Sequence, residues 1–398
     1  MILEKDSFPK NEFIKRIQNH QREIEESNID FSIIQYKSDL YYYSGTGQSC
    51  ILVIPKEGDA ILFGRRDIAR IKQESFLDHV IQIRRTSEIY NHLQDRGLDV
   101  KGGKFGLEGD ILPAEMYQKS EKIFHEKSAL SVGPLLRKIR SIKSEREINV
   151  LKESARILDE IHSMVPDIIE EGMTEIEASV KLYTEMRIRG AQPTVRSRDF
   201  YTETGGIGLV LSGNNTGISS YTLTATAGPG LHQSNPLGPS FKKIKQGELI
   251  FVDFSLAYKG YITDETRCYV IGKAPELIKE RYQKAWELEE FMYKIMREGK
   301  QVSEIYQQTY KFAKEQRIEK DLMLGGQIPF LGHGVGLELS EPPIITSKSD
   351  YRLVEGNVIA LEPKLIYPNE MVIGSENTYV IRKNNSEQIT NAPQPLLE

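Results

Sequence analysis

Cysteine is nearly absent from this chain of 398 residues, which contains only Cys50 and Cys268. Two cysteines cannot build a disulfide framework or a thiolate zinc cluster, and this usage is typical of a reducing cytoplasm, where we expect the protein to be located. Histidine is also scarce, with seven residues. Because nitrogen and sulfur ligands are so few, any metal ion must be held mainly by carboxylates.

Long hydrophobic runs are lacking as well. No apolar run approaches the roughly 20 residues that a transmembrane helix requires, and residues 1–7 lack the apolar core of a secretory signal. We therefore expect neither a membrane partner nor classical export. An excess of positive charge is also lacking, because 52 basic and 57 acidic residues give a formal net charge of −5. Binding to a nucleic acid backbone is not expected from this balance.

Length and residue pattern indicate two domains with a boundary near Ser141, since a domain typically has roughly 150 residues. Before the boundary, short apolar runs such as Cys50–Pro55 alternate with helical patterns such as Phe13–Ile24. Strands that alternate with helices are typical of an α/β layer. Residues 1–140 are therefore predicted to form an α/β domain.

The second half begins with two helix-start signals. Ser144 with Glu147, and Thr174 with Glu177, have the spacing of capping boxes. Later segments are rich in glycine, threonine and β-branched residues, which favours an antiparallel sheet covered by the helices. An α+β domain over residues 141–398 follows from this pattern.

Two aspartates flank a predicted turn in this second half. Asp253 ends an apolar run, and Asp264 lies eleven residues further on, after a Tyr-Lys-Gly-Tyr sequence that can reverse the chain. A β-hairpin would bring the two carboxylates together. Taken alone, such a pair is more often structural, one residue ending a strand and the other capping a turn.

Three further residues have unusual surroundings. His333 lies between two glycines, which leave its imidazole open to other groups, although a lone histidine is more often structural. Glu362 and Glu376 stand in apolar, strand-like segments fourteen residues apart. One continuous strand would place both on the same face, but Pro363 and Pro368 interrupt it. Buried glutamates are unfavourable unless they are paired or bind a metal ion.

These five residues together predict a metal site. Four carboxylates and one neutral imidazole nearly neutralise two divalent cations and leave room for a bridging water that readily loses a proton. We therefore predict a two-metal hydrolytic site. Oxygen-rich ligation with one nitrogen suits Mn²⁺, Fe²⁺, Co²⁺ or Zn²⁺, and residue spacing does not choose among them.

The order of the five residues and the sequences around them resemble the pita-bread metallopeptidases, which include Xaa-Pro dipeptidases (prolidases) and Xaa-Pro aminopeptidases. The matching motifs are GYITDETR around Asp264, GHGVGL around His333 and the Glu-Pro pair at Glu362. Segments of the first half, such as Leu40–Gly45, resemble the N-terminal domain of the creatinase and prolidase branch. The resemblance therefore covers nearly the whole chain, which excludes the shorter methionine aminopeptidases.

This resemblance implies a creatinase/prolidase-type domain over residues 1–140, followed by a pita-bread catalytic domain with a curved antiparallel sheet over residues 141–398. It implies hydrolysis of Xaa-Pro bonds in small peptides with two divalent metal ions, in a homodimer. Glu362 would also move the proton of the attacking water, His232 would assist at the scissile bond, and Ser340 and Tyr261 would contact the substrate. The metal ligands would be Asp253, Asp264, His333, Glu362 and Glu376, with Asp264 and Glu376 bridging the two ions.

The chain departs from the family pattern outside the ligands. Ser340 stands where the family has a second histidine, and Gly374 where it often has an arginine. Lys364 stands where a glycine is common, and Asn377 replaces a frequent aspartate. A second function therefore stays open, a pita-bread metalloenzyme that acts on a small non-peptide substrate as a creatinase-like hydrolase or a lyase. A metal-free binding protein is disfavoured, because no ligand position is lost.

Overall fold

The protein is described by a computed structural model that covers residues 8–98, 100–124, 129–198 and 208–397. Contacts within the chain divide it into two compact units, Met1–Arg140 and Ser141–Glu398. Within the described ranges, no helix is both long enough and apolar enough to cross a lipid bilayer.

The first unit contains a six-stranded mixed sheet with helices, as the alternating pattern predicts. Its strands are β1 (Phe31–Ile34), β2 (Cys50–Pro55), β3 (Ile61–Gly64), β4 (His79–Gln82), β5 (Phe105–Leu107) and β6 (Leu130–Ser131). The helices are α1 (Lys10–Glu26), α2 (Lys37–Ser44), α3 (Ile68–Glu74), α4 (Glu88–Gln94), α5 (Ala114–Ile123) and α6 (Gly133–Ser141). The strand order is β4-β3-β2-β1-β5-β6, with β2 antiparallel to both of its neighbours and the other pairs parallel.

Both predicted capping boxes are formed in the second unit. Ser144 accepts a hydrogen bond from the backbone of Glu147, whose side chain in turn accepts from the backbone of Ser144, and Thr174 and Glu177 repeat the arrangement. Because orphan backbone donors are satisfied there, each helix begins directly after its cap. The long helices of this unit are α7 (Glu145–Ile168), α8 (Glu175–Ile188), α9 (Glu276–Ile295) and α10 (Val302–Glu315).

The described strands of the second unit pair only in antiparallel fashion, as predicted. They form the sheets β7-β8-β9 and β11-β10-β12-β15-β16 and the hairpin β13-β14. An isolated bridge between Thr266 and Glu376 connects the first two sheets. The strands are β7 (Leu209–Ser212), β8 (Leu249–Tyr258), β9 (Tyr261–Val270), β10 (Phe330–Gly334), β11 (Glu341–Thr346), β12 (Val358–Leu361), β13 (Leu365–Tyr367), β14 (Met371–Ile373), β15 (Asn377–Ile381) and β16 (Ser386–Gln388).

Strand β8 is buried on both faces, which explains its nearly continuous apolar run. Ile250 and Val252 pack in a cluster with Leu158 of α7 and Leu182 of α8. The alternate position Phe251 belongs to a second cluster, which includes residues of α9, α10 and β12. Successive strand side chains point to opposite faces, so one strand serves both clusters.

Candidate metal centre

The β8-β9 hairpin positions the two aspartates. Asp253 follows Phe251 by two residues and therefore continues the same face of β8. In the register of the hairpin, Asp253 lies opposite Thr266 and Asp264 opposite Ser255, which makes the aspartates diagonal neighbours. Ser255 donates a hydrogen bond from Oγ to Asp264 Oδ1 over 3.1 Å. The prediction that a hairpin unites the two aspartates is confirmed.

Strand β10 brings His333 to the aspartates. His333 pairs with Ala360 of β12, and its Nε2 lies 3.3 Å from Glu362 Oε1 and 3.8 Å from Asp264 Oδ2. The other ring nitrogen, Nδ1, lies 3.2 Å from the carbonyl oxygen of Gly334. Because a carbonyl only accepts, Nδ1 carries a proton there and Nε2 is directed towards the carboxylates.

The glycines beside His333 have a packing reason that was not predicted. A Cβ atom at Gly332 would lie 2.5 Å from the carbonyl oxygen of Ala360, and one at Gly334 would lie 2.4 Å from that of Glu341. Strand β10 lies tightly between β11 and β12, so only glycine fits at these positions. The close approach that these two glycines permit is therefore between the backbones of neighbouring strands.

Glu362 and Glu376 are brought together by strand pairing. Leu361 at the end of β12 lies opposite Asn377 at the start of β15, and the two glutamates directly flank this pair. The interruption expected from Pro363 and Pro368 is confirmed, because the β13-β14 hairpin lies between the two glutamates. The two glutamates are therefore brought together by antiparallel pairing of segments that are distant in sequence, and not by the alternation of side chains along one strand.

Glu376 is a buried carboxylate with one satisfied and one unsatisfied oxygen. Its Oε2 accepts hydrogen bonds from Thr266 Oγ1 over 2.8 Å and from Lys364 Nζ over 3.0 Å. Its Oε1 is buried and has no hydrogen-bond partner among the residues that the structure describes. Such atoms are rare in native proteins and often mark the place of an ion or a ligand.

The residues present fit a divalent cation. Asp264, His333 and Glu376 offer ligand atoms that lie within 4.8 Å of one another, and all three are buried. Glu362 adjoins this group through His333. A nitrogen, several carboxylate oxygens and one unsatisfied buried oxygen are a suitable donor set for Mn²⁺, Fe²⁺, Co²⁺ or Zn²⁺.

The metal-free cluster holds protons because it is buried and crowded with carboxylates. Burial and the charge of Asp264 raise the pKa of Asp253 to about 7. Burial raises the pKa of Asp264 to about 6, with His333 acting against the rise and Glu362 adding to it. Burial and then Asp264 raise the pKa of Glu376 well above its usual range. Burial would lower the pKa of His333, but Glu362 and Asp264 raise it to about 9.

We expect a divalent cation to release protons when it binds at neutral pH. His333, with a pKa of about 9, must lose its Nε2 proton before that nitrogen can bind a metal, and Glu376 must ionise. Affinity should therefore rise with pH, by about tenfold per pH unit for each proton released. Calorimetry with Mn²⁺ in buffers of different ionisation enthalpy measures the proton count. The expectation would be contradicted if Mn²⁺ bound without release of protons and its affinity did not change with pH.

Lys364, which stands where the family pattern commonly has a glycine, lies within the centre. Lys364 is fully buried, and besides Glu376 its Nζ contacts the carbonyl oxygen of Ser375 over 3.2 Å. The ammonium lies 5.6 Å from the centre of the Phe251 ring. Because burial of a lysine is unfavourable without partners, these contacts explain how the charge is tolerated.

A polar network outside the cluster holds its backbone, and sequence analysis missed it. Arg267 is fully buried, and its Nη2 contacts Glu265 Oε1 over 2.6 Å and donates to Asn377 Oδ1 over 2.7 Å. Its Nη1 donates to the carbonyl oxygen of Glu376 over 2.9 Å. Asn377 Nδ2 donates to Glu289 Oε1 over 2.7 Å. An aspartate at position 377 could not donate this bond, which explains the amide.

The predicted substrate-side residues have other surroundings. His232 is exposed on a turn, where its Nδ1 lies 2.9 Å from Ser234 Oγ. Ser340 is also exposed. The ring of Tyr261 is buried and its hydroxyl donates to Glu147 Oε1 over 2.8 Å, which attaches β9 to α7. The structure thus gives Tyr261 a buried contact between β9 and α7, and its contact with the substrate stays a prediction.

Comparison with known proteins assigns this chain and its fold to one class. Residues 149–383 match the model of metallopeptidase family M24, and residues 16–142 match the creatinase/prolidase N-terminal domain. The chain is 26% identical over 388 residues to an Xaa-Pro dipeptidase of Pyrococcus furiosus, covering 96% of this chain and 99% of that one.

Solved structures agree on the fold. The prolidase of Pyrococcus horikoshii OT3 superposes with a TM-score of 0.78 at 25% identity, covering 96% of this chain and 99% of that one. An Xaa-Pro dipeptidase of Bacillus anthracis gives a TM-score of 0.80 at 24% identity, covering 96% and 98%. The class is therefore a pita-bread metallopeptidase that carries a creatinase N-terminal domain. The chain belongs to metallopeptidase family M24, which implies metal ions and peptide substrates, as the resemblance predicted.

Proposed function

We propose that this M24 peptidase hydrolyses Xaa-Pro peptide bonds, either in dipeptides or at the amino end of longer peptides. The observation that carries the proposal is the buried group of Asp264, His333 and Glu376, with its unsatisfied Glu376 oxygen, in a chain aligned with an Xaa-Pro dipeptidase over 96% of its length. The metal ligands would be Asp253, Asp264, His333, Glu362 and Glu376.

A bound divalent cation would polarise the scissile carbonyl and lower the pKa of water at the site. Glu362 would accept the proton of the attacking water, since its Oε1 borders the group at His333 Nε2. His333 would keep its orientation through the Gly334 carbonyl. His232 would supply a proton at the leaving nitrogen, and Ser340 would donate one hydrogen bond to the substrate.

An Xaa-Pro bond makes particular demands on these residues. Its nitrogen carries no hydrogen, so the site cannot recognise the bond through an amide donor, and the proline ring restricts the preceding residue to extended conformations. The leaving nitrogen must gain a proton before it departs. Exposed donors such as His232 can meet this need if the turn that carries His232 approaches the bound substrate.

The test is release of free proline from Xaa-Pro dipeptides and longer Xaa-Pro peptides by protein loaded with Mn²⁺. We expect cleavage that disappears with a chelator and falls about 100-fold or more in Glu362→Gln, since general-base catalysis typically contributes that much. Peptides with alanine in place of proline are the matched substrates. Preference for dipeptides or longer peptides separates dipeptidase from aminopeptidase. Failure to cleave any peptide, by protein that holds metal, would instead point to a small non-peptide substrate.

A further inference from the structure

Lys364 places a permanent cation inside the carboxylate cluster. Its side chain follows β12 and reaches Glu376, where Nζ lies 3.0 Å from Oε2. The residue is 0% exposed, so no solvent competes for the ammonium. Lys364 therefore acts directly on one of the predicted metal ligands.

The backbone opposite Lys364 is shaped for this side chain. A Cβ atom at Gly374 would lie 3.1 Å from Lys364 Cδ and 3.4 Å from its Cα. Any side chain at position 374 would thus crowd the lysine stem. The two departures from the family pattern, lysine at 364 and glycine at 374, are therefore neighbours in the structure, with Gly374 beside the stem of the lysine.

The two oxygens of Glu376 are used differently. Oε2 faces the Lys364 ammonium and the Thr266 hydroxyl, whereas Oε1 is buried and accepts no hydrogen bond from the described part of the chain. A carboxylate that bridges two metal ions would present one oxygen to each of them. Here one of the two oxygens is already neutralised by a cation that belongs to the chain.

We propose that the Lys364 ammonium occupies one of the two cation positions predicted from the sequence, so that the centre binds one divalent ion beside Asp264, His333 and Glu376. This inference rests on the metal centre of the proposed function. Two divalent cations would neutralise four ionised carboxylates. The buried ammonium supplies part of that positive charge. A second divalent ion beside Glu376 Oε2 would meet the ammonium at close range and be repelled.

The test compares the number of Mn²⁺ ions bound per chain in the wild-type protein and in Lys364→Gly, after equilibrium dialysis and elemental analysis. We expect one ion in the wild type and two in the variant. Lys364→Met, which removes the charge but keeps a long side chain, controls for the space that glycine opens. Lys143→Met is the matched control, because Lys143 is also buried and pairs with Glu341 over 2.9 Å outside the cluster. It should leave the ion count unchanged.

Electron paramagnetic resonance gives an independent readout on the wild-type protein. At saturating Mn²⁺, one isolated ion gives a six-line spectrum, whereas two neighbouring ions give an exchange-coupled spectrum. A wild-type spectrum of isolated ions, with coupling only after Lys364→Gly, supports the proposal. Equal ion counts in the wild type and Lys364→Gly, or a coupled wild-type spectrum, would overturn it. The wild-type spectrum keeps the test decisive if the variants do not fold.

Peptide hydrolysis separates this inference from the proposed function. If the variant gains an ion and neither protein releases proline, the assignment of Lys364 stands and the Xaa-Pro substrate is wrong. If the wild type releases proline and the ion counts are equal, the substrate stands and the assignment of Lys364 fails. The ion count itself does not depend on turnover.

Discussion

Asp264→Asn is expected to abolish tight binding of divalent cations and, with it, peptide hydrolysis, while it stabilises the metal-free protein. Asp264 is one of three buried residues whose ligand atoms lie within 4.8 Å of one another. An amide is neutral and a much weaker ligand than a carboxylate for such ions. Since a bound ion supplies several kcal/mol to the transition state, hydrolysis should fall about 1,000-fold or more.

Asp264→Asn should lose metal binding and activity but gain stability without metal, because the ionised, buried Asp264 carboxylate is unfavourable in the metal-free protein. Burial, with the charge of Glu362 adding to it, raises the pKa of Asp264 to about 6, above its usual value of 3.8. A raised pKa means that ionisation opposes folding, and the penalty is fully present above the folded-state pKa. Asp264→Asn removes the penalty, on the order of 1 kcal/mol or more at pH 8. The advantage should shrink as the pH falls below about 6.

Thermal unfolding with and without Mn²⁺ measures both effects on the same samples. Mn²⁺ should raise the Tm of the wild type and leave that of Asp264→Asn unchanged. The matched control is Asp159→Asn on α7, a half-buried carboxylate outside the cluster that accepts from the backbone of Asn391 over 2.6 Å. It should retain the response to Mn²⁺. A Tm of metal-free Asp264→Asn below that of the wild type at pH 8 would show that Asp264 serves the fold instead.

The local part of the architecture follows directly from sequence. Both capping boxes depend on residues three positions apart, so Ser144 and Thr174 predict helix starts without knowledge of the rest of the fold. The β8-β9 hairpin is similarly local, since apolar runs on either side of a glycine-containing turn pair with each other. For that reason the proximity of Asp253 and Asp264 was predictable from the residues themselves.

The convergence of the remaining ligands depends on long-range pairing. Glu362 and Glu376 lie at neighbouring strand ends because β12 pairs with β15, and the β13-β14 hairpin occupies the sequence between them, where Pro363 and Pro368 had indicated an interruption. The resemblance to metallopeptidases supplied the predicted set of residues without this geometry. His333 joins them through the pairing of β10 with β12, which no local pattern encodes.

The charged residues around the centre were the least predictable. Lysine and arginine are usually exposed, so nothing in their local sequence announces that Lys364 and Arg267 are fully buried. Glu289 lies on the amphipathic helix α9, and its partner Asn377 is 88 residues away in sequence. Only the departure from the family pattern at Lys364 and Asn377 offered a signal.

The largest loss of stability is expected from Arg267→Met. The guanidinium connects β9, the Asn377 side chain and the C-terminal segment, where its Nε donates to the carbonyl oxygens of Ala392 and Pro393 over 3.1 Å. Its Nη2 also forms the 2.6 Å ion pair with Glu265. Removing one partner of a buried pair leaves the other charge uncompensated, which typically costs about 3–5 kcal/mol. That is a large part of the roughly 5–15 kcal/mol that stabilises a native protein.

The loss should come mainly from Glu265 and should therefore be reversible by a second substitution. Burial already raises the pKa of Glu265 to about 8, with Arg267 acting against the rise. Without Arg267, ionisation of Glu265 opposes folding more strongly, so the loss should be larger at pH 9 than at pH 6. Adding Glu265→Gln removes the uncompensated charge, and the double variant should recover part of the lost stability.

Urea unfolding of the wild type, both single variants and the double variant measures this coupling. Arg267→Lys keeps the charge but lacks the planar set of donors that reaches six oxygen atoms, so it should rescue stability only in part. Arg156→Met is the matched control, because Arg156 forms exposed ion pairs with Glu153 and Glu160 and should contribute little. If the double variant were no more stable than Arg267→Met, the backbone contacts of Arg267, and not its pairing with Glu265, would hold the strands beside Glu376 together.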